Sequence, residues 1–295
     1  MKIKSPINPN TSLEHFLTCK DYTVSRETFD LLLDKNADFL ITHPQPTEKD
    51  LSKYYESEDY ISHTDASKSV IDKLYQTAKK FTVSNKTNLV KNLTSTKKSK
   101  IKLLDIGCGT GDFLYACNNK GFLISGIEPN KKARKLAENK IKDITILDSI
   151  FNATQKFDVI TMWHVLEHVT NLDEYLVKLK SLLVEDGVLI IAVPNFKSYD
   201  AKYYKEFWAA YDVPRHLWHF SKKAIIDLFT KVDLKVQKVL PMRLDSFYVS
   251  LLSEKYKTGK SNFLKAFFIG FVSNFNAFFS KEYSSHIYII KNKNI

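Results

Sequence analysis

Leu103-Leu104-Asp105-Ile106-Gly107-Cys108-Gly109-Thr110-Gly111-Asp112-Phe113-Leu114 is the stretch on which the fold turns. The chain has only eight glycines. Gly107, Gly109 and Gly111 crowd together directly after an apolar run, which predicts a tight turn at the carboxyl end of a buried strand. Without a Cβ, glycine takes positive φ and lets a ligand approach the backbone closely. In open α/β sheets nucleotide-like ligands bind in the crevice outside the carboxyl ends of the strands. A dinucleotide fingerprint needs a third small residue where this chain has Asp112, which is charged and too large, so the spacing argues against NAD. Asp105 is placed to accept a hydrogen bond from an ammonium or a backbone N–H. Downstream, Gly126-Ile127-Glu128-Pro129-Asn130 puts Glu128 at the end of a second strand, where an acid can hold both hydroxyls of a ribose.

Outward from this turn, strand and helix patterns alternate. Strands are expected at 101–106, 123–128, 144–147, 157–162, 188–193, 234–241 and 286–291, and helices at 112–119, 131–140, 171–183 and 221–229. Such alternation predicts an α/β fold, a doubly wound parallel sheet with helices on both faces. The last two strands lack a crossover of the same kind, which suits an antiparallel edge. Before the turn, residues 67–92 carry a helical pattern and 94–100 read as a polar linker. Residues 1–66 read as irregular, because Asn, Pro and Thr break their periodicity, and are taken as an N-terminal cap segment before a main domain at 67–295. A long interval at about 243–284 reads as a helical insertion. Within it, the phenylalanine-rich 262–279 stretch is a helix that either packs over the core or substrate mouth or contacts a membrane surface or lipid-like substrate.

The glycine turn, the acid at 128 and the strand spacing together resemble motif I and the following acidic position of class I S-adenosylmethionine-dependent methyltransferases. The resemblance implies a Rossmann-like seven-stranded sheet whose last strand is antiparallel, with S-adenosyl-L-methionine as cofactor. Carried over by position, it assigns cofactor binding to Asp105, Gly107, Cys108, Gly109, Gly111, Glu128, Pro129, Asp148, Trp163 and His164. Phe157-Asp158-Val159-Ile160-Thr161-Met162-Trp163-His164-Val165-Leu166-Glu167-His168-Val169 resembles motif IV, in the branch that includes ubiquinone-biosynthesis O-methyltransferases. Backbone carbonyls near Trp163 are then expected to meet the cofactor's ammonium. His168 is expected near the transferring methyl, where an ordinary imidazole pKa suits a general base. The plainer reading is that Glu167 and His168 cap and orient the next helix. Methyltransferases acting on base amines carry an Asp/Asn-Pro-Pro-aromatic turn here, whereas this chain reads Met162-Trp163-His164-Val165.

Tyr211-Asp212-Val213-Pro214-Arg215-His216-Leu217-Trp218-His219-Phe220-Ser221 is similar to a stretch in uncharacterised bacterial methyltransferases, with Leu217 intervening before the aromatic. Here Arg215 can hold an anionic substrate group and His216 can act as base. Alternatively the stretch is a structured turn, with Arg215 paired to Asp212 and Ser221 an N-cap. In the Tyr54–His63 segment, Tyr60 or His63 is a candidate to cap the cofactor's carboxylate.

Composition sets the outer bounds. A 295-residue chain with 44% apolar residues can bury a full core. Cys19, Cys108 and Cys117 form no metal-ligand spacing, which suits a reducing cytoplasm, and no metal is assigned. The start of the chain lacks the apolar stretch of a signal peptide. The net charge of +11 fits nucleic acid or an anionic membrane, but the lysines are dispersed, which also fits a solvated surface. The leading expectation is a methyltransferase acting on a small molecule, at oxygen. An RNA methyltransferase and a non-catalytic cofactor-binding partner subunit stand as alternatives.

Overall fold

The computed structural model describes residues 4–55, 70–94 and 100–293, with the main chain alone at 48 and 70–78. Tyr60 and His63 lie outside the described residues. The strands are β1 (Glu14–Lys20), β2 (Thr28–Asp34), β3 (Phe39–His43), β4 (Lys102–Ile106), β5 (Leu123–Ile127), β6 (Ile146–Leu147), β7 (Phe157–Trp163), β8 (Leu183–Pro194), β9 (Trp218–Phe220), β10 (Leu234–Pro241) and β11 (Ser285–Asn292).

The larger sheet has seven strands in the order β6-β5-β4-β7-β8-β11-β10. β4 pairs in parallel with both β5 and β7. β11 sits between β8 and β10 and runs antiparallel, as the resemblance implies. Its central strands carry long buried runs, such as Val188–Val193 of β8, because helices cover both faces. Val159, Ile160, Thr161 and Met162 of β7 are all fully buried. The helix expected before β4 spans Val70–Thr94.

The N-terminal residues depart from the expected irregular segment. β1, β2 and β3 form an antiparallel meander, extended by β9 into a four-stranded sheet. Phe29 and Leu31 of β2 point inward with the strand period of two. Leu33 continues that face, but the intervening Leu32 is also apolar, which hides the period in the sequence. Asp21 closes the β1–β2 connection by accepting hydrogen bonds from the backbone N–H groups of Thr23, Val24 and Ser25.

By its contacts the chain groups into two compact units. One gathers the N-terminal residues with 164–173 and 192–288; the other holds 58–163, 174–191 and 289–295. The insertion belongs to the first unit. It consists of two helices, Asp245–Thr258 and Phe263–Ser280, where the sequence pattern marked only the second. Asn262 caps the second by accepting from the Lys265 N–H at 3.1 Å.

Candidate active site

In the second unit, the turn after β4 takes the backbone conformation its glycines allow. Gly107, Gly109 and Gly111 have φ of 71°, 54° and 80°. The N–H groups of Gly107 and Cys108 both donate to the Ile127 carbonyl, at 2.8 and 3.0 Å, which ties the turn to the end of β5. Gly111 begins the Asp112–Asn118 helix in the left-handed region. A Cβ there would lie 2.9 Å from the Ala137 Cβ. Gly111→Ala is therefore expected to destabilise the fold by roughly 1–3 kcal/mol through clash and strain together, measured by urea unfolding. Gly109 differs: a Cβ on it would meet nothing within 4 Å, so the turn faces open space at that position.

Glu128 stands against that opening. One carboxylate oxygen accepts from the Gly109 N–H at 2.9 Å and the other from the Asn130 N–H at 2.8 Å. Each oxygen keeps a lone pair for a further donor, which is what a vicinal diol requires. Burial pushes the Glu128 carboxyl above its ordinary range, against the two N–H bonds and Arg134. Asp105 is 3% exposed and accepts from the Thr161 hydroxyl at 2.6 Å. Burial raises its pKa to about 7, with the Thr161 bond and Lys86 opposing. Trp163 ends β7 against Phe113, with the Lys86 ammonium 4.4 Å from its ring centre. Its buried indole N–H has no hydrogen-bond partner among the described residues. Cys108 contributes its backbone; its thiol is buried. Asp148 and Pro129 are exposed, and Asp148 accepts from the Asn152 amide at 2.8 Å. An open glycine turn, a positioned carboxylate and an orphaned indole N–H fit a ligand that carries a ribose diol and polar groups.

In the first unit, residues 164–168 and 212–216 build a cluster of histidines and carboxylates. His164 turns the chain after β7 with φ of 59° and donates its N–H to the Ala192 carbonyl at 2.9 Å. Its ring nitrogens lie 3.5 Å from Glu167 Oε1 and 3.2 Å from Asp245 Oδ2. Burial disfavours a charged ring there, but the two carboxylates outweigh it and raise the pKa to about 9. The imidazole of His164 is thus committed to carboxylates, although its position in the sequence had suggested a cofactor contact. Glu167 is 1% exposed, and neither of its oxygens accepts a hydrogen bond among the described residues. Burial pushes its carboxyl up, yet His164, His216 and His168 hold it below its ordinary value.

His168 Nδ1 lies 2.9 Å from the Tyr55 hydroxyl and 3.0 Å from the Arg215 carbonyl. A carbonyl only accepts, so the bonding pattern assigns the proton to Nδ1 and leaves the lone pair on Nε2. His216 is arranged alike, with Nδ1 2.9 Å from the Ala210 carbonyl, and its ring stands edge-on to His168 at 4.5 Å. Burial and the neighbouring His216 lower the His168 pKa to about 4, well away from the ordinary imidazole value expected of it. Glu167, His168 and His216 offer three ligand atoms within 4.8 Å of one another, a donor set that can take up a proton or hold a cation.

Arg215 is not available to a substrate. It is 3% exposed and grips Asp212 with two bonds of 3.0 and 2.6 Å, Asp21 at 3.1 Å and the Tyr54 carbonyl at 3.0 Å. Ser221 caps its helix by accepting from the Ala224 N–H at 3.1 Å. Tyr55 and Asp245 are the cluster residues that sequence reading missed. Tyr55 lies in the ring-rich segment already singled out, whereas Asp245 comes from the insertion and carries no local signal.

Comparison with known proteins agrees with the fold. A family described as a methyltransferase domain matches residues 80–239. A ubiquinone biosynthesis O-methyltransferase of Pelagibacter ubique is 30% identical over 192 residues, covering 58% of this chain and 77% of that protein. The namesake enzyme of Actinobacillus pleuropneumoniae is 38% identical over 107 residues, covering 32% of this chain and 46% of its own length. The chain thus spans about half the length of most curated relatives it matches. Among solved structures, the magnesium protoporphyrin IX methyltransferase of Synechocystis with S-adenosylhomocysteine bound superposes with a TM-score of 0.55 at 14% identity, covering 82% of this chain and 99% of that one. A plantazolicin methyltransferase gives a TM-score of 0.52 at 20% identity, covering 82% and 93%. Fold, family match and glycine turn converge, and the chain belongs to the S-adenosylmethionine-dependent methyltransferases.

Proposed function

We propose that this enzyme methylates a hydroxyl oxygen of a small molecule. The observation that carries this reading is the buried Glu167–His168–His216 cluster, where His168 keeps its Nε2 lone pair beside a carboxylate held below its ordinary pKa. When bound, S-adenosylmethionine supplies a methyl group already activated on sulfur. The chain's own task is to hold, orient and deprotonate. Glu128 and the Gly107–Gly111 backbone hold the nucleoside part, and Asp105, Asp148 and Trp163 complete that set. His168 Nε2, with His216 beside it, takes the proton from the acceptor hydroxyl. The Glu167 carboxylate stabilises the imidazolium so formed. The names of the curated relatives, O-methyltransferases among them, support oxygen as the acceptor. Three unpaired buried thiols support a reducing, cytoplasmic location.

The test is label transfer from methyl-labelled S-adenosylmethionine to a panel of phenolic and other hydroxyl compounds, set beside total RNA and amines. An O-methyl ether is the expected product. Label passing only to RNA or to amine nitrogen would overturn the proposal. Glu128→Ala is expected to weaken cofactor binding by about 1–3 kcal/mol, the scale of lost charge-assisted hydrogen bonds, as measured by calorimetry. Unchanged affinity in a folded variant would remove Glu128 from the cofactor set.

A further inference from the structure

The Phe263–Ser280 helix is built inside out. Its buried face is made of Ala266, Ile269, Gly270, Ser273 and Ala277. These mostly small residues let it lie close against the protein. A Cβ on Gly270 would come within 2.7 Å of the Phe247 ring, so the two helices of the insertion touch at that point. The Ser273 hydroxyl donates to Asp200 Oδ1 at 2.6 Å, anchoring the same face. The large side chains point the other way. Leu264 is 86% exposed, and Phe267, Phe268, Phe271, Phe275, Phe278 and Phe279 are each between 56% and 70% exposed. At 100° per residue these seven fall within an arc of about 120°, and Leu264, Phe268, Phe271, Phe275 and Phe278 repeat every three or four residues along its length. A water-facing helix shows the reverse order. Contiguous apolar surface of this kind marks an interaction site.

The charges around the stripe narrow what covers it. From Lys255 to Lys281 the chain carries five lysines and no aspartate or glutamate. Lys255, Lys257, Lys260 and Lys281 are exposed. The two bracketing acids are spent internally: the fully buried Glu254 pairs with Lys265 at 3.1 Å and Glu282 with Lys222 at 2.9 Å, which leaves the four exposed lysines without an acid in this stretch. A second copy docking through the same face would bring lysine rim against lysine rim. An aromatic stripe rimmed by uncompensated lysines instead complements an anionic lipid headgroup layer over hydrocarbon. The helix is long and apolar enough to cross a membrane by composition, with 18 residues and a mean hydropathy of 1.3. Crossing would tear Ser273 from Asp200 and expose the small-residue face, so the helix is suited to lie along the interface.

We propose that the Phe263–Ser280 helix seats this protein on anionic bilayers, lying in the membrane plane with its phenylalanine stripe in the acyl boundary and its lysines among the headgroups. The proposal is independent of the substrate. The experiment is co-sedimentation of the full chain with vesicles of pure phosphatidylcholine and with vesicles that also contain phosphatidylglycerol. Wild-type protein is expected to pellet with the anionic vesicles and to be released as salt is raised. Serine at 268, 271 and 275 together (Phe268→Ser, Phe271→Ser, Phe275→Ser) is expected to lower partitioning roughly tenfold or more, since those rings supply the inserted apolar area. These residues are exposed, and an unchanged thermal midpoint checks that the variant folds. A second variant, Lys257→Glu with Lys260→Glu, reverses rim charge without touching the stripe and is expected to weaken binding to anionic vesicles alone. Wild type staying in the supernatant at low salt would overturn the proposal. So would equal pelleting of the serine variant, or a wild-type dimer in light scattering that the serine variant converts to monomer.

Discussion

Arg215→Met should cost roughly 3–5 kcal/mol of stability, the scale for breaking a buried ion pair on one side. Methionine keeps the apolar stem and removes the guanidinium. Asp21, whose side chain is fully buried, and Asp212 then lose their shared cation. Asp21 retains backbone N–H donors from Thr23, Val24 and Ser25, so the cost comes chiefly from two carboxylates left facing each other's charge. Arg215→Lys should recover part of the loss, because an ammonium keeps the charge but cannot reproduce the fork. Urea unfolding measures both, and a loss below about 1 kcal/mol for Arg215→Met would mean that the network holds nothing together. The pH dependence follows from the carboxylates. Burial raises both, but the Ser25 and Thr23 N–H groups with Arg215 for Asp21, and Arg215 for Asp212, hold them below their ordinary range. A depressed carboxyl stabilises the fold above its unfolded pKa and loses that contribution as pH falls through the folded one. Wild-type stability should therefore be full at neutral pH and decline below about pH 4, and the Arg215→Met variant should show a shallower decline.

What the sequence made legible, and what it hid, divides by distance along the chain. The turn at Gly107–Gly111, Glu128 and the strands β4, β5 and β7 are local patterns, where glycine chemistry and apolar runs act within a few residues. The second strand was hidden because Leu32 breaks the alternation of Phe29, Leu31 and Leu33. Arg215 offered two readings, and what separates them is its burial beside Asp21, a contact across most of the chain. The ordinary pKa expected for His168 failed for the same reason. His216 and the burial that lower it are supplied by segments far away in sequence. The phenylalanine periodicity was visible, but a period alone does not say which face of a helix the protein covers. Only Gly270 against Phe247 and Ser273 on Asp200 settle that the small residues face inward.

His168→Ala should lower kcat by about 10²–10⁴-fold while leaving cofactor affinity within roughly twofold, the pattern for loss of a general base. The Nδ1 proton of His168 is fixed by the Arg215 carbonyl, so in the proposed reaction Nε2 is the atom left to accept. Its basicity sets the pH dependence. With the pKa lowered to about 4 by burial and His216, His168 stays unprotonated throughout the neutral range. The wild-type rate should then show no acid limb from this residue between pH 5 and 8, and the deficit of the variant should be the same at both ends of that window. A weak base is adequate here because the acceptor hydroxyl becomes strongly acidic only as it gains the methyl group, and the proton leaves late. The buried Glu167 carboxylate, 3.5 Å from the His164 ring and with no closer hydrogen-bond partner among the described residues, is positioned to stabilise the imidazolium at that moment. Glu167→Gln keeps the shape and removes the charge, so it should lower kcat without changing cofactor affinity, and combining it with His168→Ala should add little further loss. A deficit under about tenfold for His168→Ala, equivalent to less than about 1.4 kcal/mol of barrier, would assign the cluster to shape alone. It would leave alignment of acceptor and methyl as the whole of the catalysis.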